Sequence, residues 1–316
     1  MNKQFLKTVL FPLLSVSLLL LPSCGGGGGG SGVPASYTGL TTQAVITDTN
    51  AATIVIGAWT GGVSARDLGD VVPASLAATD QGPPGPDLLD QVQNLVNLAV
   101  RSLPEFTPTV KPLELIPATC SSGFADVNIT ANQTTGAFSG SIVFTDYCDM
   151  GVTLNGTMTV SGLVDINLMI ATRMTMGFNN LSATDGVMSW SFLEGTISYI
   201  VAADFGGETD TLNLVVRDDV AQKSYWMQNY VIQITYGLPD TVTITGRYYD
   251  PDYGFCDITT LVTLEVAFTP LPNAGVLLFT GDGSKARLTF NSDQTNLLEV
   301  DANNDDVYET GIPNPL

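Results

Sequence analysis

From Cys120 onward, apolar and polar residues alternate with a period of two, and the alternation is interrupted at short intervals by turn-forming residues. A strand points successive side chains to opposite faces, so this pattern predicts strands over 125–131, 138–147, 152–161, 164–178, 187–193, 196–202 and 211–217. It continues through 224–236, 241–249, 255–268, 275–280, 285–290 and 297–300. Connectors such as 183–186, 237–240 and 250–254 are short, so consecutive strands should pair antiparallel. Three similar tripeptides, Asn155-Gly156-Thr157, Glu194-Gly195-Thr196 and Thr245-Gly246-Arg247, join or interrupt comparable strands.

Ahead of this region the period is different. Residues 33–84 are the least regular, with a short strand at 43–46 and a helix-like stretch at 50–59 that Gly61-Gly62 should stop. Pro86 and Asp87 then suit a helix start, and Leu88, Val92, Leu95, Val96, Ala99 and Leu103 fall on one stripe before Pro104. The expected fold class is mainly β: a wide antiparallel meander forming a curved sheet or open barrel, packed on one amphipathic helix at about 87–103. In outline this resembles the half-barrel over helices of the lipoprotein carriers and receptors of the Gram-negative envelope. That likeness is architectural and transfers no residues.

The N-terminus reads as an address. Lys3 and Lys7 precede the apolar run 9–21, which is shorter than the ~20 apolar residues of a membrane span. Leu21-Pro22-Ser23-Cys24 then resembles the lipobox of bacterial lipoproteins, with Pro22 the unusual residue. The resemblance implies cleavage before Cys24 and its lipidation by acyl chains such as palmitate. Gly25 in place of Asp implies the outer membrane of a Gram-negative cell, with the domain facing the periplasm or the cell surface. Gly25 to Gly30, with Ser31 and Gly32, make a tether whose ends lie roughly 15 Å apart on average. The chain thus divides into a signal peptide (1–23), a lipidated cysteine with its Gly-rich tether (24–33), an irregular and helical part (34–119) and an antiparallel β-domain (120–316). Residues 34–316 are expected to form one structural unit.

Charge narrows the function classes. The 316 residues contain 31 acids, 11 basic residues and no histidine, for a net charge of −20. Nucleic acid is excluded as a partner, since phosphate binding needs clustered cations. Losing residues 1–23 removes two lysines and no acid, so an anionic leaflet repels the remainder and acyl chains must supply the attachment. Without histidine there is no Ser-His-Asp or Cys-His catalysis and no His-based zinc site.

The remaining cysteines are Cys120, Cys148 and Cys256. If Ala131 faces Ala137 across the turn at 132–136, the same register sets Cys120 opposite Cys148, which predicts a disulfide and leaves Cys256 as a free thiol. Near the C-terminus, Asp301, Asn303, Asp305 and Glu309 stand at positions 1, 3, 5 and 9 of a calcium-loop spacing, while Asp306 replaces the Gly of position 6 and Ile312 the Glu of position 12. Two readings fit: a calcium site, or a solvated acidic turn between two strands. Six of the ten tyrosines lie with Trp226 between residues 225 and 253. Trp226, Tyr230, Tyr248 and Tyr249 are the candidate ligand-binding residues, with cross-strand packing as the competing explanation. Turn positions also pair Tyr230 with Arg247, and Arg247 with Asp257. Gly281-Asp282-Gly283-Ser284-Lys285 reads as a hairpin turn and not as a phosphate loop.

No catalytic residue emerges. The functional expectation is a lipid-anchored outer-membrane lipoprotein, a non-enzymatic binding or structural module for an apolar ligand, a glycan or an envelope protein. The alternative is a His-independent hydrolase using two carboxylates on envelope or extracellular polysaccharide.

Overall fold

A computed structural model of the chain has fourteen strands, of which the first, at 114–117, precedes the alternating region in the part expected to be irregular and helical. It describes residues 32–66, 92, 96, 114–120, 122–132, 134–149, 151–168, 170–267 and 271–316. The first seven strands are β1 (Glu114–Pro117), β2 (Phe124–Ala131), β3 (Ala137–Asp149), β4 (Val152–Asp165), β5 (Ile170–Thr184), β6 (Ser189–Val201) and β7 (Gly207–Asp218). They are followed by β8 (Lys223–Thr235), β9 (Asp240–Asp250), β10 (Gly254–Val266), β11 (Ala274–Gly281), β12 (Ser284–Phe290), β13 (Asn296–Asp301) and β14 (Thr310–Pro313). Each strand pairs antiparallel with the next in sequence, so chain order is sheet order. The sheet does not close: β1 and β14 are its edges, and both are short and carry a proline, which blunts them against further pairing.

Two boundaries differ from the sequence reading. The segment 164–178 is no single strand, because Asp165 accepts the N–H groups of Asn167 and Leu168 and turns the chain between β4 and β5. Its side chains keep alternating through the turn, so the pattern hides it. Conversely, 187–193 and 196–202 belong to one strand, β6, with a register shift between Phe192 and Glu194.

The three Gly tripeptides mark a structural device. Gly156, Gly195 and Gly246 all have φ between 122° and 139°. At Gly246, a Cβ would stand 2.5 Å from the Asn229 carbonyl, opposite the bulge that interrupts the β8–β9 register between Gln228 and Val231. Gly156 and Gly246 therefore let the neighbouring strand's extra residue fit, while Gly195 follows a bulge of its own strand, and such bulges bend and twist a wide sheet.

One face of the sheet carries the main core, drawn from β2 through β13. Helix α1 (Ala51–Arg66) packs on this face against β7, β8, β9 and β12. The expected stop at Gly61-Gly62 is not a stop, since α1 runs four residues beyond it. Gly57 and Gly61, one helical turn apart, lie on the Tyr248 ring, and a Cβ at Gly57 would come within 2.5 Å of Tyr248 Oη. Glycine is present for close approach, and burial outweighs its poor helix propensity. The helix lacks a one-sided stripe because several of its faces are covered. Most of the helix expected at 87–103 lies outside the described residues. Val92 and Val96 are helical, fully buried and part of the core.

Residues 42–46 bind the N-terminal part to the sheet. Phe255 N–H donates to Thr42 O (2.9 Å), Ala44 N–H to Phe255 O (2.8 Å), and Asp282 N–H to Ala44 O (2.7 Å). The short strand expected at 43–46 is thus a single parallel bridge, Gln43 to Phe255. Before this point Tyr37 packs on the outer face of the sheet, and after it α1 enters the core.

The disulfide Cys120–Cys148 is present, with Cα atoms 5.2 Å apart, and Cys256 is free and buried. The register that predicted the bridge is off by one, because Ala131 pairs with Phe138. Cys120 lies in the β1–β2 turn rather than in β2. Thr119 N–H (2.8 Å) and Cys120 N–H (3.3 Å) donate to Cys148 O, which folds that turn onto the end of β3.

Candidate functional site

The C-terminal carboxylates converge. Between β13 and β14, Asp301, Asp305 and Glu309 place a carboxylate oxygen each within 4.8 Å of one another, with Asp301 buried and the other two exposed. Asn303 belongs to the same turn: its Oδ1 accepts from Asp305 N–H (3.1 Å) and its Nδ2 donates to Asp305 Oδ2 (3.1 Å). Asp306, where a calcium loop has Gly, takes φ 67°, so the sharp turn forms without glycine.

Asp301 organises the loop, accepting from Asp305 N–H (3.1 Å) and Asp306 N–H (2.9 Å). Desolvation opposes its charge. The backbone N–H groups of Asp306, Asp305 and Asn304 and the Lys285 ammonium outweigh that cost and hold its carboxyl below the ordinary carboxylate value. Ca²⁺ takes six to eight oxygens, and Asp301, Asn303, Asp305 and Glu309 are the donors that would hold it, with the rest left to water.

Lys285 is the participant the sequence reading missed. It pairs with Asp301 across β12 and β13, its Nζ lies 3.7 Å from Asp301 Oδ2, and it forms an ion pair with Asp306. A metal ion therefore competes with a built-in ammonium. The β12–β13 register was the signal that could have revealed this contact. The stretch that supplies Lys285 is the tight β11–β12 hairpin expected, with Ser284 Oγ accepting from Ile46 N–H (2.7 Å).

The candidate aromatic residues do not share a surface. Tyr230 and Tyr248 face the main core, while Trp226 and Tyr249 form a second, smaller cluster with Tyr37 on the other face. All four are buried. Tyr248 and Tyr249 are neighbours on one strand and must point to opposite faces, so grouping them as one stacking surface is corrected by elementary strand geometry. Tyr230 donates to the Ala58 carbonyl of α1 (3.0 Å), and burial pushes its phenol up. Trp226 and Tyr249 stack with centroids 4.0 Å apart, Tyr37 packs against both, and Tyr249 donates to Gln228 Oε1 (3.1 Å).

Arg247 pairs with Gln228, not Tyr230, because the hairpin leaves its turn one residue away from the expected register and the bulge in β8 adds a second. Its predicted partner on β10 is in place: Asp257 accepts two bonds from the guanidinium (2.7 and 3.1 Å), which also covers the Phe255 ring at 3.8 Å.

Many other carboxylates serve the turns. Asp165, Asp185, Asp218, Asp240, Asp250 and Asp293 each accept backbone N–H groups of their own connectors. Glu208 and Asp210, on the core side of β7, are buried, and Glu208 accepts from Tyr236 Oη (2.5 Å). The Cys256 thiol is fully buried, and desolvation raises its pKa, which makes it a poor nucleophile. No known family, curated protein or solved structure matches the chain.

Proposed function

We propose that this chain is a lipid-anchored, non-enzymatic module of the bacterial outer membrane, held by acyl chains on Cys24 and carrying its sheet on a glycine tether. The observation that carries this reading is the export-type apolar run ending in Leu21-Pro22-Ser23-Cys24, followed at once by six glycines. These residues lie outside the described ones. The Cys120–Cys148 disulfide supports an oxidising compartment. Among the described residues no helix is long and apolar enough to cross a membrane. A scaffold role is favoured over an apolar-ligand carrier, because the aromatic rings available for stacking are packed inside.

The test separates lipidation from mere association. Wild-type protein should take up labelled palmitate and fractionate with membranes, and Cys24→Ser should do neither. A Cys24→Ser protein that remains in the membrane fraction overturns the anchor.

A further inference from the structure

The outer face of the sheet carries a feature that strand-by-strand reading does not show. Ser139, Ser161, Thr175, Ser198 and Thr211, on β3 to β7, are direct cross-strand partners in one unbroken row. Thr130 on β2 extends the row at one end, and past Val231 on β8 it reaches Thr245 on β9. A parallel row two residues away holds Ser141, Thr159 and Thr196, closed by Asn128 and Asn213. Gly177 fills the gap between Thr159 and Thr196, and a Cβ there would stand 2.4 Å from Thr159 Oγ1. Every one of these hydroxyl residues is exposed or half-buried. Thr175 and Ser198 hydroxyls lie 3.2 Å apart, so the row is ordered by its own contacts.

Neither row contains a charge, in a chain with 42 charged residues. The nearest on that face are Arg173, Glu194 and Asp126, one row further out, and at the β9 end Arg247, which is neutralised by Asp257. A polyanion finds no cluster of cations here, a basic peptide finds no anions in the rows, and an apolar surface meets hydroxyl rows that separate the exposed Val143 from Leu163 and Ile200. Hydroxyls both donate and accept, as the hydroxyls of a sugar do. Rows of them repeat about every 4.8 Å across strands and ~6.7 Å along them, the scale of a sugar ring.

We propose that this face binds a neutral polysaccharide chain laid across β3 to β7. Each neutral hydrogen bond adds little net free energy, so binding needs several sugars at once and strengthens with chain length. The inference goes beyond the envelope reading and does not depend on Cys24.

The experiment is co-sedimentation of the full chain with protease-treated insoluble cellulose and chitin, at low and high salt, with alginate beads as an anionic comparison. The expected result is binding to at least one neutral polymer, insensitive to salt, absent on alginate and not competed by monosaccharide. Ser161→Ala/Thr175→Val/Ser198→Ala should weaken binding about tenfold or more, while Thr280→Val/Thr289→Val on β11 and β12, outside both rows, should leave it unchanged. Thr159→Val gives a second, milder loss in the neighbouring row. A chain that stays in the supernatant with both neutral polymers overturns the proposal. So does binding that falls with salt, or a triple variant with native circular dichroism and an intact disulfide that binds as the parent does.

Discussion

At the scale of single residues, the most instructive positions are Gly57 and Gly61. In the sequence a Gly pair inside an apolar run reads as a helix stop, and only the contact with Tyr248 shows that the missing Cβ atoms are what admit α1 to the core. Gly57→Ala should lower stability by about 1–3 kcal/mol through overpacking against Tyr248 Oη. Adding Tyr248→Phe removes the nearest atom and should restore part of the loss. Urea unfolding of the two single variants and the double gives the coupling directly, and strict additivity would mean that the contact is not the cause. Tyr248 and Tyr249 teach the opposite lesson. Their separation to two faces was legible from alternation alone, and counting aromatic residues by proximity in sequence obscured it.

At the scale of elements, two connections carry predictions. The first is the β1–β2 turn, which Cys120 pins to β3. The bridge closes a loop of 28 residues in sequence, worth about 3–4 kcal/mol by chain entropy. Cys120→Ser/Cys148→Ser, or reduction, should lower unfolding stability by that order in urea melts, compared in a Cys256→Ala background because unfolding exposes that buried thiol to exchange. A loss well under about 1 kcal/mol would mean that the turn is held by its hydrogen bonds alone. The pairing was legible because both cysteines flank one hairpin. The register was not, since the turn at 132–136 adds a residue to the loop that alternation does not count.

The second connection is the β13–β14 loop. Millimolar Ca²⁺ should raise the melting temperature, chelator should reverse the rise, and Asp301→Asn should abolish it. Lys285→Met, which removes the competing ammonium, should increase it. The folded-state pKa of Asp301 is depressed below its unfolded value of about 3.9, so its stabilising charge is fully present above that pH and is lost as pH falls through the lower folded value. Calcium stabilisation should fade in the same acid window. A melting temperature unmoved by both Ca²⁺ and chelator leaves a solvated acidic turn.

At the scale of the whole molecule, alternation and short connectors were enough to specify a wide antiparallel meander, because a chain of strands with tight turns has almost no other way to pair. The anchor expected at Cys24 rests on local chemistry alone and lies outside the described residues. What the sequence by itself left open was register and face. A one-residue slip exchanges every inward and outward side chain of a strand, and each slip is settled by bulges such as those opposite Gly156 and Gly246. Only the tertiary structure therefore decided that α1 fills the core, that Lys285 meets Asp301, and that hydroxyls scattered over 116 positions from Thr130 to Thr245 fall into one row. Those placements depend on the sum of contacts across fourteen strands, which no local window of residues contains.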